Sequence, residues 1–197
     1  MGPTRRAVGA LALGGALLLL AGCGISTSDK PATSDFNPLG PGPSASGTGP
    51  VTPTGPDLQL RPVLSAERAD AGQCPRTDPP TPPKTEAATL CTADLTTLLT
   101  LGPAIVDGAN ARSIDAGTID GANVVRVELD TTGGTALSNE TLRLAQEQSP
   151  KNWLAVVSHG RVQTAPAVTD QISGGILDIS GFATADEARS AAALFGG

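Results

Sequence analysis

Apolar and polar positions change rhythm several times along this chain of 197 residues, and the changes mark out its elements. Between residues 153 and 195, apolar runs alternate with turn residues three times and then give way to a helical period. Residues 154–157, Leu-Ala-Val-Val, predict a short strand, and Ser158-His159-Gly160 a tight turn. Residues 161–168 alternate apolar and polar, which predicts a second strand with Pro166 inside it. A proline cannot donate to a ladder, so this strand is expected at a sheet edge or with a bulge. Gly174-Gly175 punctuates the chain, and residues 176–179 predict a third strand. Thr184-Ala185-Asp186-Glu187 has the form of a capping box, in which the hydroxyl covers a first-turn amide and the carboxylate reaches back. Ala185, Ala188, Ala192 and Phe195 then fall near one helical face.

The same reading applies upstream. Residues 58–64, Leu-Gln-Leu-Arg-Pro-Val-Leu, predict an alternating strand. Residues 113–119 and 124–129 predict a hairpin around Asp120-Gly121, a pair that tolerates the positive φ of a tight turn, with Val125, Val127 and Leu129 on one face. Gly133-Gly134 is expected to break the chain, after which Leu137, Thr141, Leu144 and Ala145 mark an amphipathic helix that stops near Pro150. The order of elements predicts an α+β fold: a mostly antiparallel sheet with two helices packed on one face, preceded by a disordered tether.

The first 57 residues are expected to lie outside that fold. Arg5 and Arg6 precede an apolar or glycine run over residues 7–21, shorter than the roughly 20 residues that cross a bilayer. Leu20-Ala21-Gly22-Cys23 resembles the lipobox of bacterial lipoproteins. That resemblance implies a signal peptide over residues 1–22 and a diacylglycerol on Cys23; a plain secretory leader is the alternative. Residues 23–57 are rich in Ser, Thr, Pro and Gly and read as a tether, because they bury too little to offset the entropy of ordering. Removing residues 1–22 deletes two arginines and no acid, so a chain of net charge −6 becomes more acidic still. That charge argues against nucleic acid and against a basic lipid-binding patch as partners. The expected location is the extracytoplasmic face of the cell membrane, with the acyl anchor in the bilayer.

Composition narrows the chemistry. With 2% aromatic residues and no tyrosine, the core must be built from Val, Ile, Leu and Ala. Cys74 and Cys91 remain once Cys23 is lipidated, and five of the sixteen residues between them are proline. In an exported protein such a pair reads as one disulfide, worth about 3 kcal/mol in the chain-entropy model. A metal pair or a reactive thiol is the alternative, although there is no Cys-x-x-Cys, and the single histidine, His159, lies in a predicted turn. Asp115, Asp120, Glu128 and Asp130 are candidates for a carboxylate pair, but strand alternation and turn placement favour solvated charges. Gly174-Gly175 is not followed by the lysine or glycine pattern of a phosphate loop. Trp153 reads as a core or rim anchor rather than a stacking platform. No catalytic residue, metal ligand or cofactor loop emerges, so the expectation is a protein that is not an enzyme.

Several of these motifs carry a family resemblance. Leu154-Ala155-Val156-Val157, Gly160-Arg161-Val162, Ala165-Pro166, Ile172-Ser173-Gly174-Gly175, Ile179-Ser180-Gly181-Phe182 and Glu187-Ala188-Arg189 resemble, in order and spacing, the head subdomain of the first extracytoplasmic domain of SecD in SecDF. One departure is His159, where that family usually has an aspartate. Leu101-Gly102-Pro103 with Gly108 resembles another element of the head, and Arg61-Pro62-Val63-Leu64 a segment early in the actinobacterial domain. Some actinobacterial members also carry a similar cysteine pair, which supports the disulfide reading. The resemblance covers residues 58–197, thinly over 58–98 and as a core over 99–197.

In that family the head contacts polypeptide leaving the translocon, while the proton-carrying residues lie in membrane-spanning segments. No such segment is expected after the leader here, so the resemblance implies the binding part without the motor. The expected partners are exported or unfolded polypeptides or Sec translocon components. A small-ligand or lipid carrier, and a structural envelope protein reusing the fold, are the alternatives.

Overall fold

The computed structural model describes residues 36–40 and 57–196. The expected signal segment, Cys23 and most of the expected tether lie outside the described residues. Among these residues, ten strands and two α-helices follow in the order β1 (Asn37–Pro38), β2 (Gln59–Arg68), β3 (Ala88–Cys91), β4 (Thr97–Leu101), β5 (Val106–Asp107), β6 (Ala111–Ile119), β7 (Ala122–Leu129), α1 (Thr131–Leu144), β8 (Leu154–Ser158), β9 (Arg161–Thr164), β10 (Ile176–Phe182) and α2 (Ala185–Gly196), with a 3-10 turn over Gly108–Asn110. The class is α+β, and the named strands pair antiparallel throughout. They divide between two sheets, a partition that alternation does not specify. One sheet runs β1-β6-β7-β10; the other runs β3-β4-β2-β8-β9, with β5 also paired to β2.

The β6–β7 hairpin turns through Asp120 (φ 50°) and Gly121 (φ 79°), the two positive dihedrals its sequence implies. Its inward face, with Val125, Val127 and Leu129, joins Leu177 and Ile179 of β10, Leu137 and Leu144 of α1, and Ala188 and Phe195 of α2 in the larger core. Leu60, Leu154 and Val156 carry the second sheet into the same core. A smaller cluster around Val63, Leu99, Leu101, Val157 and Val162 fills the second sheet's other side. Each fully buried aliphatic side chain contributes about 1.5–3 kcal/mol, which lets a core without tyrosine hold.

Both helices begin on side-chain caps. Thr184 Oγ1 accepts from Glu187 N at 3.2 Å, while the Glu187 carboxylate reaches Ala183 N at 2.8 Å. Gly133-Gly134 does not break the chain as expected; it lies inside the first turn of α1. Asp130 caps that turn by accepting from Gly133 N at 2.6 Å, and this bond holds its carboxyl below the usual carboxylate pKa. The glycines serve close approach. A Cβ on Gly133 would lie 2.8 Å from Asn110 Cβ, and one on Gly134 only 2.9 Å from Gly175 Cα. Thr141, fully buried, donates to Leu137 O and accepts from Ile172 N, tying the turn before β10 to the helix.

β2 departs furthest from its pattern. An alternating strand presents its polar set to water, yet Gln59 and Arg61 are buried along with Leu60 and Val63. What covers them is the loop of residues 75–86. Arg61 donates from Nη1 to Glu86 O (2.7 Å) and Gly102 O (2.9 Å), from Nη2 to Pro83 O (2.7 Å), and from Nε to Gln59 Oε1 (2.7 Å). Gln59 Nε2 donates to Pro82 O at 2.9 Å. Cys74 and Cys91 are joined by a disulfide that closes the same loop against the end of β3. Pro62 sits mid-strand where β2 changes neighbour, from β4 at Val63 to β5 at Leu60; it accepts from Gly102 N at 2.9 Å, and Gly102 O, to which a proline has no hydrogen to return, is taken by Arg61 Nη1.

At the far end, Gly160 backs onto the loop so closely that a Cβ would lie 2.0 Å from Pro79 O. Arg161 pairs with Asp78 and donates to Pro75 O at 2.7 Å. β9 is shorter than predicted. Pro166 accepts from Leu154 N at 3.0 Å but has no hydrogen to return, and pairing there shrinks to one bridge between Trp153 and Ala167.

An alanine replacing a helical glycine ordinarily stabilises by about 0.5–1 kcal/mol. Gly134→Ala is expected to reverse that sign and destabilise by about 1 kcal/mol or more, since backbone opposes the new methyl. Urea unfolding of the variant reads the sign, and a stabilised protein would contradict the packing described here.

Candidate peptide-docking edge

A protein that grips polypeptide by strand addition needs a sheet edge with open backbone groups and pockets for alternate side chains. The sequence directs attention to residues 161–179, around Pro166. There the edge is already in use. Val162 O accepts from Ala93 N at 2.9 Å, and Val162 bridges Thr92, so the ends of the second sheet approach each other. Val168, Ile172, Leu177 and Ile179 are buried, and no bare apolar groove runs along this stretch.

The residues weighed for catalysis are dispersed into structural duties. Asp130 caps α1, Asp120 forms a turn, Asp115 stands opposite Arg126 in the β6–β7 register, and Glu128 opposite Ser113. His159 occupies its turn at φ 51°, with Nδ1 2.8 Å from Ser158 Oγ and 3.6 Å from Asp57 Oδ2. This places a serine, a histidine and an aspartate together, but not as a nucleophilic triad. Ser158 Oγ is buried and donates to Leu194 O at 2.9 Å, and both neighbours share one ring nitrogen. The turn is a fastening: Asp57 also accepts from His159 N and from Thr81 of the proline-rich loop. Trp153 packs at the margin of the smaller core. Among the described residues, no group of three or more His, Cys, Asp or Glu is placed to hold a metal ion. A cleft of about 390 Å³ opens beside α1, lined by polar and glycine residues such as Arg112, Asp130, Ser138 and Gly174, with Leu129 its aliphatic contribution. A carrier of apolar ligands would need a different lining.

The edge that is arranged to receive an extended segment is β6, and sequence reading passed over it. β1, from within the expected tether, pairs antiparallel with it, Asn37 opposite Thr118 and Pro38 opposite Gly117, and Leu39 N donates to Ala116 O at 2.9 Å. The register puts Pro38 at a position whose N–H would face away from β6, so proline costs no ladder bond and leaves the outer side without a donor there. Leu39 packs against the larger core. Phe36 lies on the opposite face of the sheet, over Gly117, where a Cβ would be 2.1 Å from the ring. Arg126 covers that ring at 4.3 Å from its centroid, a cation–π contact worth about 0.5–2 kcal/mol. Asp178 of β10 aims the guanidinium through a forked pair at 2.7 and 2.9 Å, which raises the Arg126 pKa above its ordinary value. The only cues in the sequence were an isolated Phe and Leu three apart in a polar stretch, and a glycine inside a predicted strand.

With this geometry in place, the comparisons with known proteins decide the family. The family described as SecDF, P1 head subdomain, matches residues 88–197, more than half of the chain. The chain belongs to the SecDF P1 head subdomain family. Similar relatives include the protein translocase subunit SecD of Streptomyces coelicolor, 35% identical over 95 residues that make up 47% of this chain and 17% of that protein. The same subunit of Magnetococcus marinus is 39% identical over 69 residues, 35% of this chain and 12% of its own. This chain thus matches less than a fifth of each relative's length. Among solved structures, the crystal structure of SecDF in a super-membrane-facing form aligns at a TM-score of 0.44 with 22% identity, covering 71% of this chain and 18% of that one. A second, described as a membrane component SecDF that enhances protein export, aligns at 0.44 with 21% identity, covering 74% and 64%. Arg61 and most of the proline-rich loop precede the matched residues.

Asp178→Ala is expected to lower stability by about 2 kcal/mol, because Arg126 loses a charge-assisted fork in a half-buried site. The Leu39 amide should also exchange faster with deuterium, as the platform under Phe36 loosens. An unchanged exchange rate would contradict the coupling between Asp178 and β1.

Proposed function

We propose that this protein is a non-enzymatic accessory to protein export, lipid-anchored on the extracytoplasmic face of the cell membrane, that binds exported or unfolded polypeptide or docks on the Sec translocon. The observation that carries this reading is the family match over residues 88–197, together with relatives that are protein translocase subunits. Among the described residues, no helix is long and apolar enough to cross a membrane. We assign the membrane connection to Cys23, on the lipobox-like Leu20-Ala21-Gly22-Cys23, with residues 1–22 removed and the following Ser/Thr/Pro/Gly stretch spacing the head from the lipid. The mode of binding that suits a head built of antiparallel sheets is strand addition, in which backbone bonds supply affinity and alternate side chains supply selectivity.

The test is affinity capture of the anchored protein from detergent-solubilised, cross-linked envelopes, beside a Cys23→Ala control. The reading expects Sec components or exported clients to be recovered with the wild type and to be depleted with the control. Recovery of neither from the wild type would end it.

A further inference from the structure

The β6 edge carries more than a stray strand. Its occupant, residues 36–40, engages three different features. Backbone pairs with backbone at Gly117 and Thr118, the Phe36 ring fills a space that only a glycine leaves open, and Arg126 closes over it. Arg189 of α2 donates to Gly40 O at 3.2 Å and marks the end of the segment. Yet the hold is short: β1 is two residues long, both exposed. Strands β6, β7 and β10 and helix α2 together form this cradle.

We propose that this cradle is a docking site for an extended segment of exported polypeptide bearing an aromatic residue and, three positions later, an aliphatic one, and that residues 36–40 occupy it in cis as a displaceable strap. Three positions along an extended chain point to opposite faces. That spacing sends the aromatic ring to the Gly117–Arg126 slot and the aliphatic side chain to the core face, as Phe36 and Leu39 do. Proline is accepted at the third position, because the N–H there points away from β6. The strap keeps the edge covered when no client is present, which guards an open edge against aggregation. The inference rests on the reading that the protein binds polypeptide, and it assigns where and by what pattern.

The probe is a fluorescein-labelled peptide, Ser-Asp-Phe-Asn-Pro-Leu-Gly-Pro, the sequence of residues 34–41, with a second peptide carrying Ser for Phe. Fluorescence anisotropy is read with the mature protein, its Phe36→Ser variant, and Phe36→Ser combined with Gly117→Ala. The Phe peptide should bind Phe36→Ser at least tenfold more tightly than the wild type, whose strap competes. Adding Gly117→Ala, or using the Ser peptide, should abolish binding. Equal binding to wild type and Phe36→Ser, or binding that survives Gly117→Ala, overturns the proposal. Should Gly117→Ala melt early, the Phe36→Ser variant still decides. Its Gly117 Hα resonance, which has lost the shielding ring of Phe36, must move upfield on addition of the Phe peptide and not of the Ser peptide, and indifference to both overturns the proposal. Capture of a reduced, unfolded model protein separates the two levels. If wild type and Gly117→Ala hold it equally, polypeptide binding stands and this site falls; if neither holds it, the broader reading falls too.

Discussion

The buried guanidinium of Arg61 is the contact on which the rest of the second sheet depends. It is fully buried on β2 and meets no carboxylate among the described residues; its partners are the carbonyls of Glu86, Pro82, Pro83 and Gly102 and the amide oxygen of Gln59. Burial alone pulls its pKa below the ordinary arginine value. The arrangement follows from the composition of the loop it holds. Five prolines between Cys74 and Cys91 remove five backbone donors and leave every carbonyl in place. Such a loop cannot satisfy itself. A guanidinium, with five donors and no acceptor, is the complementary imbalance. Each hydrogen bond to a charged group is worth about 1.5–3 kcal/mol, enough together to offset the desolvation of one cation.

Arg161 repeats the solution at the other end, taking Pro75 O and Asp78. Between the two arginines the loop is drawn over the β8–β9 turn, where Gly160 leaves it room and Asp57 joins Thr81 to His159. The loop thereby covers the flank of the second sheet, while Ala93 N and Val162 O bring its outer strands together. The four-stranded sheet ends at β10 on one side and, on the other, at the two-residue β1 laid along β6. The distribution of exposed edges, and with it the place where another chain could be added, is thus set in part by a loop that lies largely upstream of the family's matched residues.

Much of this was legible in the chain. The Asp120-Gly121 turn, the Thr184–Glu187 cap and the apolar face of β7 are local signals, each formed by neighbours in sequence, and each is where the pattern put it. What escaped reading is non-local. Gly133-Gly134 looks like a breaker until Gly175 and Asn110 come within contact distance. Gln59 and Arg61 look like a solvent face until the proline-rich loop folds onto them. Residues 36–40 look like tether because their own burial cannot order them; the slot that orders them is assembled from Gly117, Arg126 and Asp178, far along the chain. Pattern identifies elements, whereas a side chain that is missing, such as that of Gly117, acquires meaning only from what occupies its space.

The arginine side-chain ¹⁵N spectrum of the mature protein tests the central claim most directly. If Arg61 is clamped among carbonyls, its Nε–H gives a sharp resonance, set apart from those of surface arginines, that persists at pH 8–9 because water cannot reach the proton. An Arg61 Nε–H that exchanges as fast as those of exposed arginines would contradict the account, for the loop would then be held by its disulfide and by the contacts of Arg161, Gln59 and Asp57.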